Sequence, residues 1–274
     1  MAIHPLYSPS NLHPAYGLRY TWTGWLRSDE TPNGDLLESL RASWESDGLR
    51  LQEYRSADRQ IQLAFSTRPD VSPVFLAARA KGRLQHALSR TGAGFSGFSR
   101  AVAVRSVGHN RREEVEHYIR QQVTREQFID ERFRSQMEQL TVSCPEVDLT
   151  QPSLTERGRY WYDLHLVLVV VERFRIRDVR QLGLTRDGCF RIAQKKGHTI
   201  STLAVMPDHL HVALRGNPTQ SPQDIALGFQ NNLAYLLGQI PIWQEGFYVG
   251  TFGEYDMGAI RKHAQGPKDE GTGP

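Results

Sequence analysis

Apolar and polar positions alternate along residues 209–214, with His209, His211 and Ala213 on one side of an extended chain and Leu210, Val212 and Leu214 on the other. The same alternation runs through 60–65, where Gln60, Gln62 and Ala64 take the first face and Ile61, Leu63 and Phe65 the second. In both places the predicted strand is followed by a Pro-containing loop and a helical pattern, over 205–239 and 56–90. A second match follows at the same distance. "AVRSVGHNRREEVEHYIRQQ" (103–122) lies against "YVGTFGEYDMGAIRKHAQGP" (248–267), aligning Gly108 with Gly253 and Tyr118 with His263. The early strands also pair, "LRYTWTGWLRS" (18–28) with "YWYDLHLVLVV" (160–170), which sets Thr23 beside His165.

This periodicity predicts two copies of one domain, residues 16–125 and 158–265. An N-terminal arm, 1–15, precedes them, a mostly acidic linker, 126–157, joins them, and a disordered tail, 266–274, follows. The linker is expected to continue a helix through "REQFIDERFRSQMEQL" and to end in a Pro-containing loop. A chain of 274 residues, 39% hydrophobic and 23% charged, suits two ordinary soluble domains. The longest apolar run, LVLVVV at 166–171, is too short to span a bilayer, and the N-terminus lacks the charged-then-apolar order of a secretory signal. A cytoplasmic protein with no membrane partner is expected. Cys144 and Cys189 lack CxxC spacing and are read as ordinary buried or half-buried thiols.

The charge is unevenly placed. Residues 76–125 hold ten Lys or Arg against three Glu, although the whole chain is only +3. Arg79, Lys81, Arg83, Arg90, Arg100 and Arg105, interleaved with Phe95 and Phe98, are the candidate nucleic-acid contacts, with a solvated basic face as the alternative. Trp22, Trp25 and Trp161 are read as core, and His165 as packed, with a place near the site as the alternative. "GAGFSG" (92–97) fits G-x-G-x-x-G but follows a basic helical stretch and not a strand, so it is read as a loop. With 10 His in 274 residues a His-x-His pair arises readily by chance, and its spacing alone decides nothing.

His-hydrophobe-His on a strand ("VMPDHLHVAL"), a V-G turn, and a helix reading Y-I-x-x-Q ("SVGHNRREEVEHYIRQQ") together resemble the single-tyrosine transposases of the HUH endonuclease superfamily. Neither repeat has both elements. The first keeps the tyrosine helix but reads Gln60-Ile61-Gln62; the second keeps the histidines but has His263 for tyrosine and Pro267 for glutamine. The resemblance implies an α+β protein of two tandem ferredoxin-like domains. It also implies a dimer-like exchange in which the tyrosine helix of one unit reaches the histidine strand of the other. In a fused chain one composite site would combine Tyr118 and Gln122 with His209 and His211, while His263 facing Gln60 and Gln62 would have decayed.

The resemblance further implies attack of Tyr118 on a single-strand phosphodiester, giving a 5′-phosphotyrosine and a free 3′-hydroxyl beside a DNA hairpin. Two imidazoles and the Gln122 carbonyl would hold Mg²⁺ or Mn²⁺ with positions open for phosphate oxygens. Tyr118 and Gln122, four apart, would share one helix face; Gln121 is the poorer alternative by angle. Asn110 with Glu113 is the expected helix cap, and Val115, Ile119 and Val123 the packing stripe. A monomer with an internal pseudo-dimer is expected, with a homodimer as the other arrangement. The rival reading is a catalytically inactive hairpin DNA- or RNA-binding protein.

Overall fold

The computed structural model describes residues 5–27, 32–91, 95–128, 130–156, 158–238 and 240–253. Its first part runs β1 (Ala15–Gly17), β2 (Arg19–Leu26), α1 (Gly34–Ser39), α2 (Arg41–Ser46), β3 (Leu49–Ala57), β4 (Gln60–Thr67), α3 (Pro73–Arg90) and β5 (Phe98–Val107). The middle holds α4 (Arg112–Arg120), α5 (Gln122–Arg125), α6 (Glu131–Gln139), β6 (Thr141–Ser143) and β7 (Ser153–Thr155). The last part is β8 (Gly158–Trp161), β9 (Asp163–Val170), α7 (Val179–Lys196), β10 (Thr199–Val205), β11 (His209–Arg215), α8 (Pro222–Leu236) and β12 (Trp243–Thr251).

The class is α+β, with two mixed, mainly antiparallel six-stranded sheets ordered β3-β4-β2-β5-β8-β7 and β1-β12-β9-β11-β10-β6. The four strands β3-β4-β2-β5 of the first sheet follow the order of β10-β11-β9-β12 in the second. Local signals match as well. Ser72 and Ser221 each cap a helix, accepting from the amides of Phe75 (3.2 Å) and Asp224 (3.1 Å), and each precedes a proline in the first turn of α3 and α8. The apolar stripes of those helices, Leu76, Ala80, Leu84 and Leu88 on α3 and Ile225, Phe229 and Leu233 on α8, are buried in the core. Complete burial of each large side chain contributes roughly 1.5–3 kcal/mol.

The two halves interlock at their first strands. Extended chain beginning at Ala15 first lies parallel to β12 as β1, then crosses after Gly17 into the other sheet as β2. The chain from Gly158 repeats the manoeuvre, parallel to β5 as β8 and then crossing into the second sheet as β9. Two hydroxyls fasten the crossings. Ser106 Oγ accepts from the Asp163 amide (3.0 Å) and donates to the Phe252 carbonyl (2.8 Å). Thr251 Oγ1 does the same with the Arg19 amide (2.9 Å) and the Val107 carbonyl (2.7 Å).

Several expectations are corrected here. Register pairs Gln62 with Thr23 and His211 with Val167, so the position matching His165 is Thr21, two residues from the alignment. A two-residue slip keeps every side chain on its own face and leaves the alternation unchanged. The expected linker helix is broken, because Glu126 is extended between α5 and α6. The linker also adds a strand to each sheet, β6 beside β10 and β7 beside β8. The N-terminal arm is docked, with Tyr7 buried and its hydroxyl bonded to the backbone of Trp243. His263, Pro267, the tail and residues 92–94 of the glycine motif lie outside the described residues. Among the described residues no helix is long and apolar enough to cross a membrane.

Candidate functional site

β11 alternates as its sequence dictates, and the second sheet has a face covered by α4. Hence His209 and His211, though pointing away from the α7–α8 core, are 8% and 5% exposed. α4 comes from the other half of the chain. It packs through Val115 and Ile119 in an apolar cluster with Ala204, Ala213 and Phe252. Its cap lies one residue beyond that expected: the Arg111 amide donates to Glu114 at 2.7 Å. The helix ends at Gln121, so Tyr118 and Gln122 belong to adjoining helices and not to one. They stay together because the Gln122 carboxamide donates to the Tyr118 carbonyl at 2.9 Å.

The result is a cleft of about 710 Å³ lined by Tyr118, Gln122, His209, His211, His165 and Tyr248, with Arg125 and Arg173 also at its wall. The Tyr118 ring is edge-on to His211 at 5.5 Å and to His165 at 6.0 Å between centroids. The Arg125 guanidinium lies 4.6 Å above the tyrosine ring. The predicted residues from the two halves therefore line one space.

Three residues complete the site beyond the sequence reading. His165 is not merely packed: its Nε2 and His211 Nδ1 are 3.0 Å apart, and the two rings stack at 5.2 Å. Asp208 holds His209 through Nδ1 at 2.7 Å and is itself held by Arg173 at 3.1 Å. Tyr248 stands edge-on to His165 at 5.7 Å. The aspartate ahead of the histidines was the visible signal for Asp208; nothing in the alternation of β9 distinguishes His165.

Burial first, and then its imidazole neighbours, pushes His211 down to about 2, and burial pushes His165 down to about 4. Both rings are therefore neutral near pH 7. Burial works against the Asp208 carboxylate, but hydrogen bonding from His209 and the Arg173 charge hold it below the ordinary aspartate range. Burial, followed by proximity to Tyr118, raises the Tyr248 phenol. No group of three or more His, Cys, Asp or Glu is arranged to hold a metal among the described residues. The donor set that suits a divalent cation is instead two imidazoles with a carboxamide. Asp208 occupies His209 Nδ1 and His165 occupies His211 Nδ1, which leaves an Nε2 on each ring, while Gln122 retains Oε1.

The six basic candidates do not form one surface. Arg79 and Arg83, on α3, face Asp47 at 3.7 and 3.1 Å, and Lys81 donates to the Ser99 carbonyl at 2.6 Å. Arg90 closes the last turn of α3. Arg100 and Arg105 line a separate cleft with Trp25 and Trp161, two tryptophans that are not core residues. Of the three tryptophans read as core only Trp22 is fully buried, beside Leu63 on the core face of β2; Trp25, three residues on, falls on the opposite face with Gln60 by simple alternation.

A histidine pair on an antiparallel strand is thus faced by a tyrosine-bearing helix from the other half of the chain. Residues 159–265 match the model of the family described as "Transposase IS200 like", and the resemblance drawn from the sequence is shown for that part of the chain. No curated protein matches. Among solved structures, a candidate transposase from Deinococcus radiodurans R1 aligns at 22% identity over 38% of this chain and 88% of its own, with a TM-score of 0.30. The regulatory subunit of aspartate kinase from Thermus thermophilus aligns at 7% identity over 78% of this chain and 90% of its own, with a TM-score of 0.18. At these TM-scores neither bears on the fold or the function.

Proposed function

We propose that the chain is a metal-dependent single-strand DNA endonuclease and strand transferase built as two tandem ferredoxin-like domains in an internal pseudo-dimer. The observation that carries this reading is the meeting of Tyr118 and Gln122, from 16–125, with His209 and His211, from 158–265, around one cleft. In this reading the Tyr118 oxygen attacks the phosphorus of a single-strand phosphodiester. The bond to the 3′ oxygen breaks, that oxygen takes up a proton, and the 5′ phosphate remains on the tyrosine. Return attack by a 3′-hydroxyl restores the diester and releases the phenol, so strand joining needs no nucleotide hydrolysis.

A free phenol titrates at about 10 and phosphate is a poor electrophile, so charge must be balanced where it grows. Arg125, over the Tyr118 ring, stands beside that charge. His209, His211 and Gln122 fit a divalent cation, Mg²⁺ or Mn²⁺, which would supply neutralisation of the phosphate oxygens. Asp208 orients His209, and His165 orients His211.

The test is cleavage of hairpin-flanked single-stranded oligonucleotides with Mg²⁺ or Mn²⁺, with and without a chelator. Cleavage that stops with the chelator is expected, and full activity in excess chelator would overturn the reading. A hairpin-binding protein without catalysis predicts retention of the oligonucleotide and no adduct under any metal.

A further inference from the structure

The first sheet carries its own cleft, of about 980 Å³, on the face where Gln60 and Gln62 stand. Strand register shows what this face has that the histidine face lacks. One rung runs Gln62, Thr23, Ala103, Arg159, and a neighbouring rung continues through Thr21, Arg105, Trp161. The matching rungs of the second sheet run His211, Val167, Tyr248, Ala15, and then His165, Gly250, Gly17. Arg159, Arg105 and Trp161 therefore occupy the places of Ala15, Gly250 and Gly17. Imidazoles have given way to carboxamides, and small residues to two guanidiniums and an indole.

The indole is held in place. Trp161 Nε1 donates to the Thr150 carbonyl at 2.6 Å, and the Arg105 guanidinium lies 3.6 Å over its ring. Trp25, 37% exposed, stands across the cleft beside Gln60, and Arg100 adds a third cation against one carboxylate, Glu156. Fixed aromatic surface for bases, interleaved with arginines for phosphates, suits an unpaired strand; four sheet strands at about 4.8 Å spacing make it wide enough for a few nucleotides. Among the described residues that line it there is no tyrosine–histidine pair with which to cut.

We propose that the Gln60–Gln62 face is a second, non-cleaving binding site for single-stranded DNA, so that one chain holds a strand to be cut and another to be kept. This rests on reading the Tyr118 cleft as a strand transferase. The test uses the full chain as Tyr118→Phe, titrated with a short oligothymidylate and followed by native mass spectrometry and tryptophan fluorescence. Two strands per chain are expected. Arg159→Glu, at an exposed position, and Trp161→Ala should each weaken the second binding step by at least about tenfold while leaving the first unchanged. One strand per chain in the parent, whether because the cleft is idle or because residues 254–274 fill it, overturns the proposal, as does an unchanged second step in both variants. The covalent adduct formed by the native chain is scored separately. Adduct with a single bound strand sinks only this inference, whereas two bound strands without adduct uphold it and sink the transferase reading.

Discussion

The ring of Tyr118, on α4, stands 5.5 Å from the ring of His211, on β11, and the two belong to opposite halves of the chain. A second phenol, Tyr248, shares the cleft but lies against His165. If Tyr118 is the nucleophile, Tyr118→Phe removes the covalent DNA adduct and lowers cleavage by at least about 10³-fold, while oligonucleotide affinity is preserved. Tyr248→Phe keeps the adduct. Denaturing gels with labelled oligonucleotide read both outcomes, and an adduct surviving in Tyr118→Phe would transfer the role elsewhere.

Asp208 tests the orientation of the histidine strand. Its carboxylate joins His209 Nδ1 to Arg173, so Asp208→Asn keeps the shape but loses the charge that fixes the ring. Mn²⁺ affinity measured by calorimetry should fall by about 10- to 100-fold, with a parallel loss of cleavage. Unaltered metal affinity would show that Asp208 serves only the fold.

Much of this arrangement was legible because a sheet face buried on one side forces period-two alternation, which "HLHVAL" and "QIQLAF" both display. The strand crossings were not legible. Nothing in "AYGLRYTW" marks Leu18 as the point where the chain leaves one sheet for the other, since both segments are simply extended. His165 was read as packed in preference to a place near the site because β9 alternates as a core strand whatever lies above its outer face. Arg79 and Arg83 looked like one basic patch with Arg105, but helix and sheet point them to different sides, and Asp47, distant in sequence, faces the first two.

Asp163 gives the fold a pH dependence. It sits at the start of β9, with Arg215 Nε 3.9 Å from an Oδ1 that has no hydrogen-bond partner among the described residues. Burial raises its carboxyl to about 7, against the pull of Arg215 and Arg112. A folded value above the unfolded one, about 4, means that the folded chain keeps a proton the unfolded chain has lost. This contribution is fully present below about pH 4 and is lost as pH rises to about 7. Asp163→Asn should flatten that slope, changing stability relative to the native chain by a few kcal/mol across the window. Chemical denaturation at pH 4.5 and 7.5 measures it; parallel curves for the two proteins would refute the assignment.

Gly108 lies where β5 ends against β12. A side chain there would collide with the Thr251 carbonyl, a backbone atom that cannot swing aside. The turn also launches α4, so the collision bears on the position of Tyr118. Gly108→Ala should cost about 1–3 kcal/mol and slow cleavage more than it weakens DNA binding. A thermal melt matching the native chain would mean that the turn relaxes without cost.

The composite site predicts a particular failure of complementation. In Tyr118→Phe the histidines are intact but have no nucleophile, and in His209→Ala the reverse holds. If Tyr118 serves the histidines of its own chain, every site in a mixture of the two variants is broken and no activity returns. The interlocked crossings favour this outcome, because β1 and β8 each lie within the sheet of the opposite half, fastened by Ser106 and Thr251. Exchange of α4 between chains would have to leave those ladders in place or open them. Mixing the variants at increasing concentration and measuring cleavage of a labelled hairpin oligonucleotide decides the matter. Activity that rises with concentration toward a quarter or more of the native level would show that α4 crosses between molecules, and the internal pseudo-dimer would be the wrong arrangement.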